Sequence, residues 1–324
     1  MRRVVQAVAA LALLWSAEAA AQGGGAYPQR PIRLVVPFAA GGNTDLVARL
    51  VGAGMSELFG QQVIIENKTG GGSVVAGEYV ANAPADGYTL LYNTVAHAVG
   101  PALYKKLPFD PVKSFAPVAL VARSPLILVV NPKLGVKDAP GLLALLRQEP
   151  GKHTYGTGGN GAAEHLAGEL YKQLAKLEIV HVPYRGGAPA LNDLVAGQIT
   201  MMITPISATI SHVKAGTVLG LAVSVAQRVE MFPDLPTIAE TGVPGYEAYT
   251  WNAIYAPTGT PRPIVDRLNQ VANQVVANPT VAQKIKDLAN EPIANSTPES
   301  LAAFLAGEMT KWIALIHSAG VTPD

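Results

Sequence analysis

The chain has 324 residues, of which 49% are hydrophobic and 15% charged, with 24 lysines and arginines against 23 aspartates and glutamates. This length exceeds one ordinary hydrophobic core, so we expect two domains, and the low charge content argues against disorder. The balanced charge argues against nucleic-acid binding, and the absence of cysteine excludes disulfides, thiolate metal sites and cysteine nucleophiles.

The first residues have the pattern of a secretory signal peptide. Two arginines precede an apolar stretch over residues 4–15, and small residues lie before Gln22. The alternative, a membrane anchor, needs about 20 uninterrupted apolar residues, and Glu18 arrives too early for that. Removal of residues 1–21 lowers Lys+Arg from 24 to 22 and Asp+Glu from 23 to 22, which leaves a neutral chain. We therefore expect an exported, soluble protein of the bacterial periplasm.

Beyond the signal peptide, strand candidates rich in Val, Ile and Leu alternate with helical patterns. Strands are predicted, in chain order, at IRLVVPF, QVIIEN, YTLLYNT, APVALVA, LILVVNP, HTYGT, EIVHVPY, TMMIT and LGLAVSV. Helices are predicted over residues 46–59, 74–82, 162–174 and 188–196. Apolar strands that alternate with helices predict an α/β protein whose parallel sheets are covered on both faces.

The pattern changes beyond residue 250, where WNAIYAP is followed by helical patterns that run to the C-terminus. Two units of strand, glycine-rich loop and helix, near residues 32–58 and 152–174, could each begin a lobe. The chain would then cross between the lobes near residues 123–125 and 249–251. These positions predict one lobe from residues 27–123 and 251–324, and a second lobe from residues 124–250.

The stretch VVPFAAGGNTD at residues 35–45 joins a predicted strand to a predicted helix through small and polar residues. Ligands of parallel sheets lie beyond the carboxyl ends of strands, where helix N-termini offer free N–H groups and a partial positive charge. Glycine lets the main chain approach a ligand closely, and Asn43 or Thr44 can cap the helix or face the ligand. The loop alone fits a carboxylate or phosphate cradle and a plain capped helix equally well.

A second loop, YGTGGNGAAEH at residues 155–165, raises the alternative of a dinucleotide site. Its glycines match G-x-G-x-x-G after a short strand and before a helix. Such a site also needs an acidic residue at the carboxyl end of the next strand, whereas Glu178 precedes that strand. Because the chain also carries an export signal, the sequence argues against a soluble nicotinamide enzyme.

Motifs of other catalytic classes do not occur in the sequence. It has no G-x-S-x-G, no Walker A sequence and no H-E-x-x-H, and its six histidines show no i, i+4 pairing. His97 is the histidine to inspect in the structure. Asp45 lies at a helix start, where capping is the ordinary explanation. Trp251 is expected to pack in the core or at the hinge, or else to border a cleft. We therefore predict no metal, no cofactor and no catalytic residue.

Longer stretches of the chain are similar to one protein family. The sequence resembles the Bug family, the periplasmic substrate-binding components of tripartite tricarboxylate transporters, in YPQRPIRLVVPFAAGGNTDLVARLV, PADGYTLLY, YGTGGNGAAEHLAGELY, VPYRGGAPALNDLVAGQITMM, HVKAGTVLGLAV and FPDLPTIAETGVPGYE. The likeness runs in order from Tyr27 to the C-terminus, so it is more specific than any single glycine motif.

The resemblance implies a two-lobed periplasmic binding protein, an α/β Venus flytrap of type II-like architecture with a helical C-terminal region. A ligand carboxylate would be held by one β–α loop from each lobe, residues 38–45 and 157–163, largely through main-chain amides, hydroxyls and ordered waters. Residues 94–97, Tyr184 and residues 204–207 would line the rest. The implied ligand-binding residues are Phe38, Ala39, Gly42, Asn43, Thr44, Asp45, Thr94, His97, Thr157, Gly158, Gly159, Asn160, Ala162, Tyr184 and Thr204.

Two departures from the family pattern bear on the ligand. Ala162 and Ala163 stand where many relatives carry two serines, which removes two hydroxyl donors. Ile203-Thr204-Pro205 follows the two methionines where many relatives have Phe-Asp-Asn, so an aspartate that could pair with a ligand amine is missing. These changes argue against amino-acid ligands and favour a dicarboxylate or an aromatic carboxylate with an apolar middle.

Two functions from different classes follow from these patterns. The first is a monomeric periplasmic binding protein that captures a small organic carboxylate and delivers it to membrane subunits of a tripartite tricarboxylate-type transporter, or to a sensor. The second is an exported enzyme, a hydrolase or dehydrogenase, that acts on a small organic acid. The sequence favours the first, because it combines an export signal and paired loops with no catalytic set.

Overall fold

The computed structural model of the protein describes residues 27–319. The predicted signal peptide therefore lies outside the described residues. The strands are β1 (Ile32–Val36), β2 (Val63–Asn67), β3 (Thr89–Asn93), β4 (Phe115–Val130), β5 (Thr154–Thr157), β6 (Val180–Pro183), β7 (Met201–Pro205), β8 (Leu219–Val223), β9 (Tyr249–Pro257) and β10 (Glu291–Pro292). The α-helices are α1 (Asn43–Phe59), α2 (Val74–Ala81), α3 (Ala96–Leu103), α4 (Ala139–Gln148), α5 (Ala163–Ala175), α6 (Gly187–Ala196), α7 (Ile206–Lys214), α8 (Arg262–Ala277), α9 (Pro279–Asp287) and α10 (Pro298–Ser318). The α/β fold class is confirmed.

The strands lie in the order β2-β1-β3-β9-β4-β7-β5-β6, with β8 and β10 also paired to β4. Strands β1, β2 and β3 are parallel to one another, and β5 is parallel to β6 and β7. Strands β4 and β9 run antiparallel to their neighbours, so the sheet is mixed where the sequence predicted only parallel pairing. The two parallel groups therefore lie on either side of a central antiparallel pair.

Strand β4 is shared by the two halves of the molecule. Its residues 115–125 pair with β9, and its residues 126–130 pair with β7 and β8. The sequence analysis predicted two strands here, separated by a crossing between lobes near residues 123–125. Pro125 interrupts neither strand nor register, and it is aligned with Tyr249 of β9. One 16-residue strand thus carries the chain from one half to the other.

Helix α1 shows how the pattern of apolar residues produces these elements. Val47, Val51 and Met55 recur at helical spacing, and all three are fully buried against β1. The helix ends at Gly60, whose φ of 64° is a left-handed conformation that glycine adopts easily. Helix α1 begins at Asn43, three residues earlier than predicted, because the polar residues of the loop form its first turn.

Helix α10 packs behind the central strands and is joined to them by a buried carboxylate. Glu308 is 5% exposed and accepts hydrogen bonds from the indole N–H groups of Trp251 at 2.8 Å and Trp312 at 3.0 Å. Trp251 is fully buried, so its side chain lies in the core behind the strands and does not border a cleft. Among residues 27–319, no helix has the length and apolar character needed to cross a membrane.

Candidate functional site

The first predicted loop connects the carboxyl end of β1 to α1. The N-cap of α1 is Gly42, with an extended φ of −74°, and no side chain caps the helix. The N–H groups of the first turn are left without helical partners at such an end, and together they create a partial positive charge. Gly41 has a φ of 84°, which a residue with a Cβ rarely adopts, so glycine is needed for this turn.

Asp45 was predicted to bind the ligand, but its carboxylate is engaged within the protein. The residue is 1% exposed, and its two oxygens accept from the Gly41 N–H at 2.9 Å, from Arg49 at 2.9 and 3.0 Å, and from Asn67 Nδ2 at 2.9 Å. Asn67 Nδ2 also donates to the Phe38 carbonyl oxygen at 2.9 Å. Burial alone would raise the pKa of Asp45, but the hydrogen bonds from Arg49, Gly41 and Asn67 outweigh it and lower the pKa. The Asp45 carboxylate therefore holds the loop in place from the protein interior.

Asn43, a second predicted ligand residue, also directs its side chain into the protein. Its Nδ2 donates to Ser124 Oγ at 3.0 Å and lies 3.3 Å from Asn290 Oδ1. Asn290 Nδ2 donates back to Asn43 Oδ1 at 2.9 Å, and the Ser124 hydroxyl donates to Asn290 Oδ1. The start of α1 is thus tied to the crossing strand β4. What this loop presents outward is its main chain, together with Thr44, which is partly buried.

The second predicted loop connects β5 to α5. Helix α5 begins after Ala162, again without a side-chain cap. Thr157 is fully buried, and its hydroxyl oxygen accepts from the Gly159 N–H at 3.2 Å and lies 2.7 Å from His181 Nε2. The loop is also fastened to the start of α6, because the Gly186 N–H donates to the Gly158 carbonyl at 3.1 Å. The Thr157 side chain therefore orders the loop instead of facing outward.

This second loop lies against elements of the other half of the molecule. A Cβ at Gly161, whose φ is 75°, would collide with Leu103 at the end of α3. A Cβ at Gly72 would lie 3.4 Å from the carbonyl oxygen of Asn160. The structure therefore brings residues 157–163 close to α3 and to the turn before α2. Both glycines have a positive φ, 55° at Gly72 and 75° at Gly161, a conformation that residues with a Cβ rarely adopt.

The remaining predicted residues have mixed positions. Thr204 is 1% exposed near the end of β7, and the Tyr184 hydroxyl donates to Asp193 on α6 at 2.7 Å. Thr94 is 5% exposed, and its hydroxyl accepts from the Ala96 N–H at the start of α3. Ala39 and Gly42 are exposed in the first loop.

His97, which the sequence analysis marked for inspection, is a core residue. It is 2% exposed, its Nε2 lies 2.9 Å from the Pro111 carbonyl oxygen, and its Nδ1 lies 3.3 Å from Asn93 Nδ2. The ring stacks on Tyr255 with centroids 4.4 Å apart. Burial lowers the pKa of His97 to about 4, so the ring is neutral at physiological pH. Both ring nitrogens have protein partners, which leaves the side chain no direct role at a ligand.

Side-chain capping separates the helices of this molecule into two groups. Helices α4, α9 and α10 are capped by the side chains of Asp138, Asn278 and Thr297. Helices α1, α2, α3, α5, α6 and α7, which follow the carboxyl ends of β1, β2, β3, β5, β6 and β7, have no side-chain cap. Helix α8 also lacks one, but it follows β9, which runs in the opposite direction. Uncapped helix starts therefore gather at the edges where parallel strands end.

Several residues around these loops were missed by the sequence analysis. Asn67, Ser124 and Asn290 complete the contacts of the first loop, and His181 supports the second. Glu164, in the first turn of α5, was also missed, although an acidic residue there is visible in AAEH. Burial raises the pKa of Glu164. The other four residues lie far along the chain from the loops, and no local pattern marks them.

Two surface depressions are found away from the loops. One, of about 420 Å³, lies between α1 and α9 and is lined by Leu46, Leu50 and Leu288 among others. The other, of about 560 Å³, includes Arg33 and Tyr79. Neither is lined by a predicted ligand residue. Within the described part of the chain, no group of three or more His, Asp or Glu side chains could hold a metal ion.

Comparison with known proteins gives the family of the chain. A family model described as the tripartite tricarboxylate transporter family receptor matches residues 47–321. A protein encoded in the tcbD-tcbE intergenic region of Pseudomonas sp. strain P51 is 40% identical over 316 residues, covering 97% of this chain and 94% of the relative. Protein BugT of Bordetella pertussis is 33% identical over 296 residues, covering 91% of this chain and 90% of the relative. The resemblance to the Bug family is confirmed.

Solved structures agree with the fold. Rpa4515 of R. palustris, solved with adipate, has a TM-score of 0.87 and 37% identity, covering 92% of this chain and all of that one. The periplasmic binding protein BugD has a TM-score of 0.85 and 35% identity over the same shares. MatC of Rhodopseudomonas palustris, solved with malate, has a TM-score of 0.83 and 32% identity, covering 90% and 100%. One of these relatives is a periplasmic binding protein and the other two were solved with a carboxylate, and the enzyme alternative has no support. The chain belongs to the tripartite tricarboxylate transporter receptor family, as a periplasmic solute-binding protein of Bug type.

Proposed function

We propose that this protein captures a small organic carboxylate between residues 38–45 and residues 157–163. The observation that carries the proposal is the pair of uncapped helix starts, α1 and α5, each beyond the carboxyl end of a parallel strand. The polar side chains that could have capped α1, Asn43 and Asp45, are held by other protein groups. The N–H groups in the first turn of α1 are therefore available to an anion from outside the chain, whereas at α5 the Glu164 carboxylate accepts from its own main-chain N–H.

Main-chain donors can hold a carboxylate without a cationic side chain. Each helix start provides N–H groups that point in one direction and a partial positive charge. Closure of two lobes around the ligand excludes bulk water, which strengthens these hydrogen bonds because the local dielectric constant falls. Arg49, the cation nearest to the first loop in sequence, is paired with Asp45 and does not need to contact the ligand.

The ligand class that best fits the site is a dicarboxylate or an aromatic carboxylate. Ala162 and Ala163 at the start of α5 provide no hydroxyl donors, so this side of the site favours an apolar ligand segment next to a carboxylate. The relatives solved with adipate and with malate support a dicarboxylate. An aromatic monocarboxylate has the same features at one end.

The change of partners along β4 supports two lobes joined by crossing strands. Residues 27–123 and 251–319 of the described chain would form one lobe, and residues 124–250 the other, with closure about the crossing strands. Residues 1–21 would be removed on export to the periplasm. There the protein would work as a monomer that delivers its ligand to the membrane subunits of a tripartite tricarboxylate-type transporter, or to a sensor.

A thermal-shift screen against organic acids tests the proposal. Purified protein is heated with adipate, malate, benzoate, aspartate, glucose and magnesium chloride in separate samples. We expect the melting midpoint to rise with at least one dicarboxylate or aromatic carboxylate, because a ligand that binds only the folded state stabilises it. Stabilisation by glucose or magnesium with indifference to every carboxylate would contradict the proposal.

A further inference from the structure

Two histidine rings stack on each other directly behind the second loop. His165 lies in the first turn of α5 and His181 in β6, and their ring centroids are 4.3 Å apart with planes 20° from parallel. The ring of Tyr155 stacks on His181 at 5.0 Å. His165 is 2% exposed and His181 is partly buried. No function described above uses this pair.

Both histidines are hydrogen-bonded to the loop. His165 Nδ1 accepts from the Gly161 N–H at 3.2 Å, and His181 Nε2 lies 2.7 Å from the Thr157 hydroxyl oxygen. The same hydroxyl oxygen accepts from the Gly159 N–H at 3.2 Å. The main chain at Gly159 and Gly161 is therefore held in place through Thr157 and the two rings. The shape of the second loop depends on these contacts.

The charged groups around the pair offer it little compensation for a proton. On α5, the carboxylate of Glu169 accepts from Lys172 Nζ at 2.7 and 3.0 Å and also from the hydroxyl of Tyr155 on β5. Glu169 raises the pKa of both rings and Lys172 lowers it, so the two charges oppose each other. Burial lowers the pKa of His165, and burial together with the neighbouring His165 ring lowers the pKa of His181 to about 4. Both rings are neutral at pH 7.

The direction of the hydrogen bond from Gly161 fixes the protonation state of His165. A main-chain N–H can only donate, so Nδ1 of His165 must carry no proton for this contact to exist. An added proton at Nδ1 would face the Gly161 N–H, donor against donor, and would break the contact. A second proton on His181 would place two stacked cations 4.3 Å apart. Protonation therefore works against the observed loop.

We propose that His165 and His181 are positioning residues that hold the second loop in its binding shape only while both rings are neutral. The inference rests on the proposed function, because residues 157–163 form half of the proposed site. Their pKa values in the folded protein lie below the ordinary value of about 6.5. The contribution of the pair is therefore complete above about pH 6.5 and is lost as the pH falls toward 4. Ligand affinity declines over the same range.

Variants that cannot be protonated test the proposal. The double variant His165→Asn with His181→Gln keeps an acceptor near the position of each bonded ring nitrogen but removes both titrations. His212→Asn is the matched control, because His212 is partly buried on α7, where its Nδ1 lies 3.0 Å from Thr217 Oγ1 and not against the loop. Affinity for adipate and for malate is measured by calorimetry between pH 8 and pH 4.5. Protonation of the adipate or malate itself affects the native protein and the variants equally, so it cancels in the comparison.

We expect the native protein to lose about tenfold more affinity between pH 7 and pH 4.5 than the double variant. In a displaced loop the rings would have the ordinary pKa of about 6.5, and each pH unit below that value favours the displaced loop by up to tenfold per ring. His212→Asn should follow the native curve. Parallel curves for the native protein and the double variant would overturn the inference while leaving carboxylate binding intact. Failure of the native protein to bind either probe at any pH would instead contradict the proposed dicarboxylate ligand.

A second measurement needs no ligand and covers a variant that fails to fold. In the native protein, the amide resonance of Gly161 should shift with the same pH midpoint as the ring protons of His165. The amide resonance of Gly135, whose N–H donates to the Pro132 carbonyl remote from both rings, is the internal control. A Gly161 resonance that stays constant while His165 titrates would overturn the positioning role, whatever the calorimetry gives.

Discussion

Replacement of Asp45 by asparagine tests how the first loop is built. The carboxylate accepts hydrogen bonds from Gly41, Arg49 and Asn67, and the residue is only 1% exposed. An asparagine amide keeps one acceptor oxygen but turns an NH₂ group toward partners that are themselves donors. Hydrogen bonds to a charged group contribute about 1.5–3 kcal/mol each, and Arg49 is half-exposed, so we expect a loss near the lower end, about 2 kcal/mol.

The assay is thermal unfolding followed by circular dichroism, with calorimetric titration of adipate on the same samples. A loss of about 2 kcal/mol corresponds to a melting midpoint lower by about 3 °C for a chain of this size. We also expect about tenfold weaker adipate binding, because Gly41 loses the anchor that holds the loop open. Asp266→Asn is the control, since Asp266 also pairs with an arginine four residues away, but with its side chain 52% exposed. That variant should change stability by no more than about 0.5 kcal/mol.

The two readouts separate the possible roles of Asp45. Equal, small effects in both variants would refute the reasoning that this carboxylate holds the loop. Weakened binding with an unchanged melting midpoint would place Asp45 at the ligand.

The hydrogen bonds from Arg49, Gly41 and Asn67 outweigh burial and hold the pKa of Asp45 below its ordinary value of about 3.9. Its contribution is thus complete above about pH 4 and is lost as the pH falls through the lowered pKa, and the variant should lack this acid loss.

Four further outcomes are expected. Thr157→Val should lower the free energy of unfolding by about 1–3 kcal/mol and weaken adipate binding, because it leaves His181 and the Gly159 N–H without a partner. Thr44→Val should weaken adipate binding with little change in stability. Both variants are measured by urea unfolding and calorimetry. Glu164→Gln should strengthen adipate binding by about 1 kcal/mol in low salt, because it removes a negative charge from the start of α5. Weaker binding would instead mean that a protonated Glu164 donates to the ligand. Glu308→Gln should lower the urea midpoint by an amount equivalent to about 1–3 kcal/mol, since a neutral amide oxygen is a weaker acceptor than the carboxylate oxygen that binds both indole N–H groups. An unchanged midpoint would contradict this account of Trp251.

The features that the sequence predicted are those carried by local patterns. The alternation of apolar strands and helices, the two glycine-rich loops and the end of α1 at Phe59 all depend on residues close together in the chain. Prediction failed where one extended segment continued through a proline. APVALVA and LILVVNP form a single strand, in which Pro125 is aligned with Tyr249 of β9.

The assignment of side chains within the loops could not be predicted for a different reason. Asn43 and Asp45 have the composition of ligand-contacting residues, and their position at a helix start fits capping equally well. Their actual partners include Asn67 and Asn290, which lie 22 and 247 residues further along the chain. The core position of His97 could not be predicted for the same reason, since its partners Pro111 and Tyr255 come from separate parts of the chain. A single sequence gives no signal for such pairs.

The bond between Asn43 and Asn290 has a consequence for biosynthesis. A ribosome completes residue 43 long before residue 290, so a growing chain lacks the group that fixes the start of α1. The shorter chain cannot organise this end of the helix, and a premature stop anywhere upstream of residue 290 would leave it unorganised permanently. Ordering of this helix start thus waits for about the last tenth of translation.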